Sequence, residues 1–209
     1  MNILVTAGGT REHIDPVRYI SNASSGNMGY SIARAAIQRG HNVNLVSANV
    51  SLTPPAGCRL TKVISAQDMF EAVKENFSEC DCLIMAAAVA DYTPAEPSPL
   101  KLKKSEDDMN IHLKPTVDIL GWAGQNKTSQ TLVGFALEDT DMFVRALEKK
   151  SRKAVDIIAV NSTESIAEKI STLHVNTGGD EWISFQQTDK LQIAQALIEI
   201  VELYIEDNL

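Results

Sequence analysis

The sequence predicts an α/β fold: a Rossmann-like, doubly wound and mainly parallel sheet with helices on both faces, plus a small β flap or hairpin. Short apolar segments rich in β-branched residues alternate along the chain with amphipathic segments of helical period. This order of strand, helix and strand favours right-handed crossovers and a parallel sheet. The chain has 209 residues and no low-complexity linker, so residues 1–209 are predicted to form a single domain.

The predicted elements follow in order from the N-terminus. Apolar stretches suit buried parallel strands at residues 3–6, 43–46, 60–63, 83–86, 131–135 and 156–160, and 60–63 is the weakest of them. Amphipathic stretches predict helices over residues 28–39, where Gly40 ends the helix, and over residues 66–77 and 142–150. Residues 172–175 and 182–185 flank a turn sequence and predict a hairpin. An amphipathic helix is predicted at the end, from about residue 189 to 205.

Two long polar segments interrupt this pattern. One covers residues 7–25, directly after the first strand. The other is a flap over about residues 91–115, in which short strands are predicted at 100–103 and 110–113. Because loops of this length inside a domain are usually functional, we expect both to contribute to a site.

Composition excludes several classes of protein. A formal charge of −8 argues against a general nucleic-acid binder. No apolar run reaches the roughly 18 residues that a membrane helix needs, and residues 1–6 read as a strand rather than a signal peptide. Three cysteines without disulfide or zinc spacing suit the reducing cytoplasm, where we expect this protein. The scattered histidines show no metal-ligand spacing, so no protein metal site is predicted: His13, His41, His112 and His174.

Two glycine-rich turns stand where a doubly wound sheet binds its ligands. Gly8, Gly9 and Thr10 follow the first strand, and adjacent glycines can point backbone N–H groups at an anion. Ser24, Ser25 and Gly26 precede the first helix, where serine caps and a helix N-terminus favour phosphate. Each turn alone could be an ordinary glycine turn, but together they favour phosphate binding.

Other residues could complete such a site. Arg18 and Asn22 lie between the two turns and could hold a phosphate or polarise a carbonyl, or be a surface charge and a turn residue. Alanines after Met85 would let a base or ribose approach the backbone beside Asp91, or simply pack the strand end. Lysines cluster in two places, Lys101 with Lys103 and Lys149 with Lys153, and could bind phosphates, protect a strand edge or complement a helix dipole.

The sequence resembles the phosphopantothenate–cysteine ligase family, also labelled DNA/pantothenate metabolism flavoprotein. Residues 6–29, 86–92, 101–104 and 133–136 carry the resemblance, in order and over nearly the whole chain. It implies ligation of 4′-phosphopantothenate to L-cysteine in coenzyme A biosynthesis, with CTP and Mg²⁺ and through an acyl-cytidylate. It also implies a homodimer joined by residues 101–113. Because no flavin domain is present in the sequence, the chain is either a free-standing ligase with a separate flavin-dependent decarboxylase as partner, or a domain cut from a fusion with it.

The resemblance also implies roles for individual residues. Asn22 would hold the activated carbonyl, with Arg18 supporting the same end, and Lys101 would reach the triphosphate from the flap. The nucleotide would contact Met85, Ala86, Ala87, Asp91, Val117, Asp118, Ile119, Leu120, Phe135, Lys149 and Lys153. The chain departs from the family at four places: it has Asn27 for Lys, Thr116–Val117 for Asn-Pro and Ser162 for Asp, and the family's downstream Phe-x-Ser-x-x-Asn loop is not recognisable.

Two other functions are alternatives to the ligase. One is a catalytically silent nucleotide-binding or regulatory domain of the same fold. The other is an NAD(P)-dependent reductase of the short-chain type, which needs a Tyr-x-x-x-Lys pair. Four residues after each tyrosine the chain has Ala23, Arg34, Glu96 and Asn208, so the reductase is disfavoured.

Overall fold

The protein is built on an eight-stranded sheet with five helices among the described residues. The computed structural model describes residues 1–104, 106, 108–162 and 170–208. The strands are β1 (Asn2–Ala7), β2 (Arg11–His13), β3 (Tyr19–Ser21), β4 (Asn42–Ala48), β5 (Arg59–Val63), β6 (Cys82–Met85), β7 (Tyr92–Pro94), β8 (Leu113–Pro115), β9 (Thr131–Glu138), β10 (Ile157–Ser162), β11 (Ile170–Asn176) and β12 (Ile183–Asp189). The helices are α1 (Asn27–Gln38), α2 (Ala66–Phe77), α3 (Ile119–Asn126), α4 (Met142–Arg152) and α5 (Lys190–Asp207).

The strand order confirms the doubly wound prediction. The large sheet runs β12-β11-β10-β9-β6-β1-β4-β5. Strands from β10 to β5 pair in parallel, and the hairpin of β11 and β12 continues the sheet in antiparallel fashion. From β1 the chain first winds through β4 and β5, then crosses to β6 on the other side of β1. The β1–β6 boundary is therefore the topological switch point, where ligands of such folds bind.

Helices cover both faces of the sheet. On one face, α1 packs on β1 and on α5 through small or apolar side chains, including Ile32, Ala33, Leu197 and Val201. On the other face, α2 and α3 cover Leu4, Leu83 and Leu132. The helix α4 packs on the same face farther along, over Ile158. Because β-strand side chains alternate between faces, Leu132 and the adjacent Val133 belong to opposite layers.

Three local predictions need correction. The helix α3 was not predicted, because it spans only eight residues and contains two glycines. Residues 100–103 and 110–112 form no strand, and the flap pairs closer to its base, where β7 runs antiparallel to β8. The polar segment 7–25 contains the small antiparallel hairpin of β2 and β3. None of the described helices is long and apolar enough to cross a lipid bilayer.

Candidate active site

A cleft of about 860 Å³ opens at the carboxyl ends of the central strands. Its walls come from the segments that follow β3, β6 and β8, from the end of β9, and from the last turn of α4. It contains most of the predicted site residues: Asn22, Ser24, Ser25, Gly26, Met85, Ala86, Ala87, Asp91, Val117, Asp118, Ile119, Leu120, Phe135, Lys149 and Lys153. Gly8, Gly9, Thr10, Arg18 and Lys101 do not line it.

The floor of the cleft is the alanine segment that follows β6. The Ala87 N–H donates to Thr6 Oγ1 at 3.2 Å, and the Ala88 N–H donates to the Gly8 carbonyl at 2.9 Å. The Ala90 N–H donates to Thr10 Oγ1 at 2.9 Å. The backbone is therefore fixed against the end of β1, while the methyl side chains leave room for a flat ligand above them.

The first glycine turn supports this floor instead of facing the cleft. Gly8 has a φ of +84°, and a side chain there would lie 1.9 Å from the Ala48 carbonyl oxygen. Thr10 is completely buried, and its N–H donates to the Ala88 carbonyl. The Thr10 N–H is therefore not available to a phosphate, which corrects that part of the prediction; Gly8 and Gly9 do not line the cleft, and anion binding by their N–H groups stays a prediction.

The second turn does reach the cleft, but its helix cap differs from the prediction. The residue before α1 is Gly26, which has a left-handed backbone and no side chain that can cap. The Ser24 and Ser25 hydroxyls instead accept the Gly26 and Asn27 N–H groups within the turn. A tight turn at a helix N-terminus thus faces the cleft. Position 27 in this turn, which is lysine in the family that the sequence resembles, is asparagine here.

Asn22 directly follows β3 and lines the cleft. Its side-chain Nδ2 donates to the Val89 carbonyl at 3.1 Å, which joins it to the alanine segment. An asparagine amide has two N–H donors, so one hydrogen bond to the protein leaves a second hydrogen for a ligand. Residues 11–22, which comprise the β2–β3 hairpin and the Asn22 that follows it, are called the arm below.

The opposite wall is cationic and comes from α4 and the start of α3. The Lys149 amine donates to the Phe135 carbonyl at 2.6 Å, and burial lowers the pKa of this lysine, helped by the nearby positive charge of Lys153. Lys153 pairs with Asp118 at 2.9 Å. Burial raises the pKa of Asp118, but the hydrogen bonds from Lys153 and the Gly121 N–H and the charges of Lys153 and Arg152 together outweigh it and lower that pKa. Asp118 also accepts the Gly121 N–H and so caps α3.

Arg18 and Lys101 lie outside the cleft. The Arg18 guanidinium forms an ion pair with Asp15 at 2.7 Å and donates to the Leu102 carbonyl. Arg18 therefore binds the flap backbone and does not line the cleft, and its support of the carbonyl end stays a prediction. Lys101 is exposed beside Leu102, so a contact with a ligand in the cleft requires the lysine side chain or the flap to move.

The structure adds residues that sequence reasoning missed. Thr116 closes the base of the flap. Its hydroxyl donates to the Ala90 carbonyl at 2.6 Å, and its N–H donates to the Asp91 carbonyl at 2.9 Å. Glu138, Asn161 and Lys190 also line the cleft. Glu138 is the last residue of β9, Asn161 lies near the end of β10, and Lys190 begins α5, and these positions were the available signal. The Ser162 side chain lies outside the described residues.

Comparison with known proteins assigns the chain to a family. The model of the DNA/pantothenate metabolism flavoprotein C-terminal domain matches residues 1–204. The Coenzyme A biosynthesis bifunctional protein CoaBC of Bacillus subtilis is 45% identical over 165 residues, 78% of this chain and 41% of that protein. The protein of the same name from Vibrio vulnificus strain YJ016 is 46% identical over 163 residues, 77% of this chain and 41% of its own length. This chain thus spans less than half the length of these curated relatives.

A solved structure agrees with this assignment. The crystal structure of the C-terminal domain of CoaBC superposes with a TM-score of 0.86 at 38% identity, covering 99% of this chain and 96% of that one. The DNA/pantothenate metabolism flavoprotein from Streptococcus pneumoniae, at 23% identity, has the same fold with a TM-score of 0.85 over 98% of this chain and 99% of its own. The chain belongs to the family of the DNA/pantothenate metabolism flavoprotein C-terminal domain.

Proposed function

We propose that this chain ligates 4′-phosphopantothenate to L-cysteine at the expense of CTP. In the first step the pantothenate carboxylate attacks the α-phosphorus of CTP, giving an acyl-cytidylate and pyrophosphate. In the second step the cysteine amine attacks the acyl carbon, forming the amide and releasing CMP. Membership of the family and relatives named for coenzyme A biosynthesis support this proposal.

One observation carries the proposal: a single cleft holds a flat alanine floor, a cationic wall and an amide donor. A base would lie on the segment Met85–Ala87, and Asp91 would accept hydrogen bonds from a ribose. Lys149 and Lys153 are four residues apart and lie on one helix face. Because the chain has a net charge of −8, this pair of lysines is more consistent with a phosphate site than with a general basic surface. Their ammonium groups would neutralise a triphosphate, with Lys153 exchanging Asp118 for a phosphate oxygen.

In the first step these residues position the reactants and stabilise negative charge. Phosphoryl and nucleotidyl transfer depend mainly on alignment and on cations near the departing oxygens. The remaining nucleotide contacts would come from Val117, Ile119, Leu120 and Phe135, which lie along the same wall. Lys101 would approach the triphosphate from the flap.

Mg²⁺ would enter with the nucleotide. Among the described residues no group of three or more carboxylates, histidines or cysteines could hold a metal ion by itself. Mg²⁺ typically keeps several waters and binds through one or two carboxylates plus substrate phosphates, which fits this cleft. Glu138, which lines the cleft, is the carboxylate that would hold it, since Asp91 is assigned to the ribose. The ion would supply further neutralisation of the triphosphate.

In the second step Asn22 would act on the acyl carbonyl. When the cysteine amine adds, the carbonyl oxygen becomes an oxyanion, and a fixed N–H donor stabilises that charge without titrating near neutral pH. The hydrogen bond between Asn22 and the Val89 carbonyl supports this role, because it fixes the amide beside the alanine floor.

The proposal includes partners and location. We expect a homodimer formed through the flap, and a flavin-dependent decarboxylase, separate from this chain or fused to it, that receives the product. The described cysteines Cys58, Cys80 and Cys82 are free thiols, which agrees with our proposal that the enzyme works in the cytoplasm.

The experiment combines a substrate test with one variant. The chain is incubated with phosphopantothenate, Mg²⁺ and either CTP or ATP, with and without cysteine, and products are measured by mass spectrometry. We expect cysteine-dependent product and faster pyrophosphate release with CTP. Asn22→Asp, which places an acceptor and a negative charge against the oxyanion, should accumulate acyl-cytidylate and pass it slowly to cysteine.

Asn42→Asp is the matched control, because Asn42 is exposed at the amino end of β4, whereas the cleft lies at the carboxyl ends of the strands. It should form product at the native rate. Native product formation by Asn22→Asp would remove the role assigned to Asn22. CTP binding without any CMP formation in the native chain would favour the catalytically silent domain instead, and faster turnover with ATP would overturn the choice of nucleotide.

A further inference from the structure

The flap is held against the arm by contacts that the proposed reaction does not use. The Ser98 N–H donates to the Ile14 carbonyl at 2.8 Å. Four residues later, both polar groups of the Leu102 backbone are bound: its N–H by Asp15 at 3.1 Å and its carbonyl by the Arg18 guanidinium. The peptide units on either side of Leu102 are therefore fixed, and the first of them joins it to Lys101.

Asp15 is the centre of this contact. It is 1% exposed, and one of its carboxylate oxygens accepts the N–H groups of Val17 and Arg18 at 2.8 Å each. The other oxygen accepts from Leu102 and pairs with the Arg18 side chain at 2.7 Å. One buried carboxylate thus shapes the turn of the arm and at the same time binds the flap.

The two segments that Asp15 joins carry different parts of the proposed machinery. The arm leads through β3 to Asn22 in the cleft wall. The flap begins at Asp91 and returns at Thr116, both in the cleft, and carries Lys101 outside it. Without Asp15, the described contacts between the arm and residues 100–104 would lose their buried anion, and Arg18 would lose its partner.

We propose that Asp15 is a positioning residue that docks the flap on the arm, so that Lys101 and Asn22 keep a fixed relation during nucleotide activation. The step through Lys101 rests on the proposed function, whereas the docking itself does not. Asp15 would act through the Leu102 backbone and would contact neither nucleotide nor acyl group.

The first test needs no activity. Hydrogen exchange is measured in the ligand-free chain for native protein, Asp15→Asn and Asp68→Asn. The control is matched, because Asp68 also accepts two backbone N–H groups, those of Ile64 and Ser65, but it caps α2 and makes neither bond to the flap. We expect amides near Leu102 to exchange roughly 10-fold faster in Asp15→Asn and at the native rate in Asp68→Asn. Unchanged exchange in Asp15→Asn would overturn the docking.

The second test asks whether Asp15 acts through Lys101. Pyrophosphate release is measured for Asp15→Asn, Lys101→Gln and the double variant. We expect Asp15→Asn to slow release roughly 10-fold in the native background and to have almost no further effect once Lys101 is replaced. Effects that multiply in the double variant would overturn positioning through Lys101. A native chain without pyrophosphate release would overturn the proposed function, while the exchange test still decides the docking.

A second variant guards against misfolding of Asp15→Asn. Arg18→Met leaves the Asp15 carboxylate and its backbone hydrogen bonds in place. It removes a guanidinium from a side chain that is 39% exposed, and with it both the ion pair with Asp15 and the bond to the Leu102 carbonyl. It should fold with a near-native melting temperature and raise flap exchange by a smaller factor than Asp15→Asn. Native flap exchange in a folded Arg18→Met would contradict the proposal.

Discussion

At the scale of single residues, the polar groups of the cleft are already held by neighbours. Asn22 binds the Val89 carbonyl, Lys149 binds the Phe135 carbonyl, and Lys153 pairs with Asp118. Asn22 and Lys149, fixed in this way, need little reorganisation when charge develops on a substrate, which is how electrostatic stabilisation becomes effective, whereas Lys153 would first leave Asp118. The residues that sequence reasoning placed in the cleft are therefore positioned by contacts that sequence alone could not predict.

Two adjacent lysines of α4 provide a test of the cationic wall. Lys149→Met should slow pyrophosphate release on the order of 10²-fold, because it removes a partly buried ammonium group from the proposed triphosphate site. Lys150→Met is the matched control, since the Lys150 amine points to Asn176 at 2.9 Å, away from the cleft. Steady-state rates with CTP decide the matter. Equal losses in the two variants would show that Lys149 has no specific role.

The Asp15 carboxyl should titrate at an unusually low pH. Burial raises its pKa, but hydrogen bonds from Val17, Arg18 and Leu102 and the Arg18 charge outweigh burial and lower it from 3.8 to about 2. A lowered folded-state pKa means that the stabilising contribution is complete above about pH 4 and is lost as the pH falls towards 2. Carbon NMR of the Asp15 carboxyl gives the midpoint directly. A midpoint near 4 would contradict the docked geometry.

At the scale of elements, the spacing of hydrophobic residues predicted the buried strands of the large sheet. The strands β1, β4, β6, β9 and β10 are buried on both faces and read as continuous apolar runs, so they were predicted with ends that differ by a few residues. The helix α3 was missed because its start depends on Asp118 as a cap, and two glycines weaken its periodicity. The prediction of a strand at 100–103 was wrong. Alternating Leu and Lys suits a strand, but in the structure the Leu102 backbone is bound by the side chains of Asp15 and Arg18 instead of by a neighbouring strand.

The contact between α1 and β1 gives a prediction at this scale. A side chain on Gly29 would lie 2.6 Å from the Ala7 Cβ and 2.9 Å from the Thr6 carbonyl oxygen. Gly29→Ala would stabilise an isolated helix by about 1 kcal/mol. In this protein we expect the opposite sign, a free energy of unfolding lower by roughly 1–3 kcal/mol, because the helix must move off the strand.

Urea denaturation measures this change, and Arg34→Ala on the exposed side of α1 is the control. The control should change the free energy of unfolding by no more than about 0.5 kcal/mol. A more stable Gly29→Ala would show that the helix and strand are not as closely packed as described.

At the scale of the whole molecule, the flap exposes apolar side chains that suit the predicted homodimer. Leu100 is 75% exposed, and Met109, Ile111 and Leu113 are exposed as well. Residues 105 and 107 of this segment lie outside the described residues. We expect a dimer by light scattering, and Ile111→Lys should shift it to monomer by placing a charge at the contact. Leu203→Lys on α5, also at an exposed leucine, should leave the dimer intact. A native monomer would contradict the expectation.

The central claim is that this chain activates a carboxylate as an acyl-cytidylate. Phosphopantothenate labelled with ¹⁸O in its carboxylate is converted with CTP and cysteine, and the released nucleotide and phosphates are analysed by mass spectrometry. Attack on the α-phosphorus followed by amide formation leaves one carboxylate oxygen on CMP, so the account predicts labelled CMP and unlabelled pyrophosphate. Label in inorganic phosphate together with release of CDP would contradict it, because the carboxylate would then have attacked the γ-phosphorus.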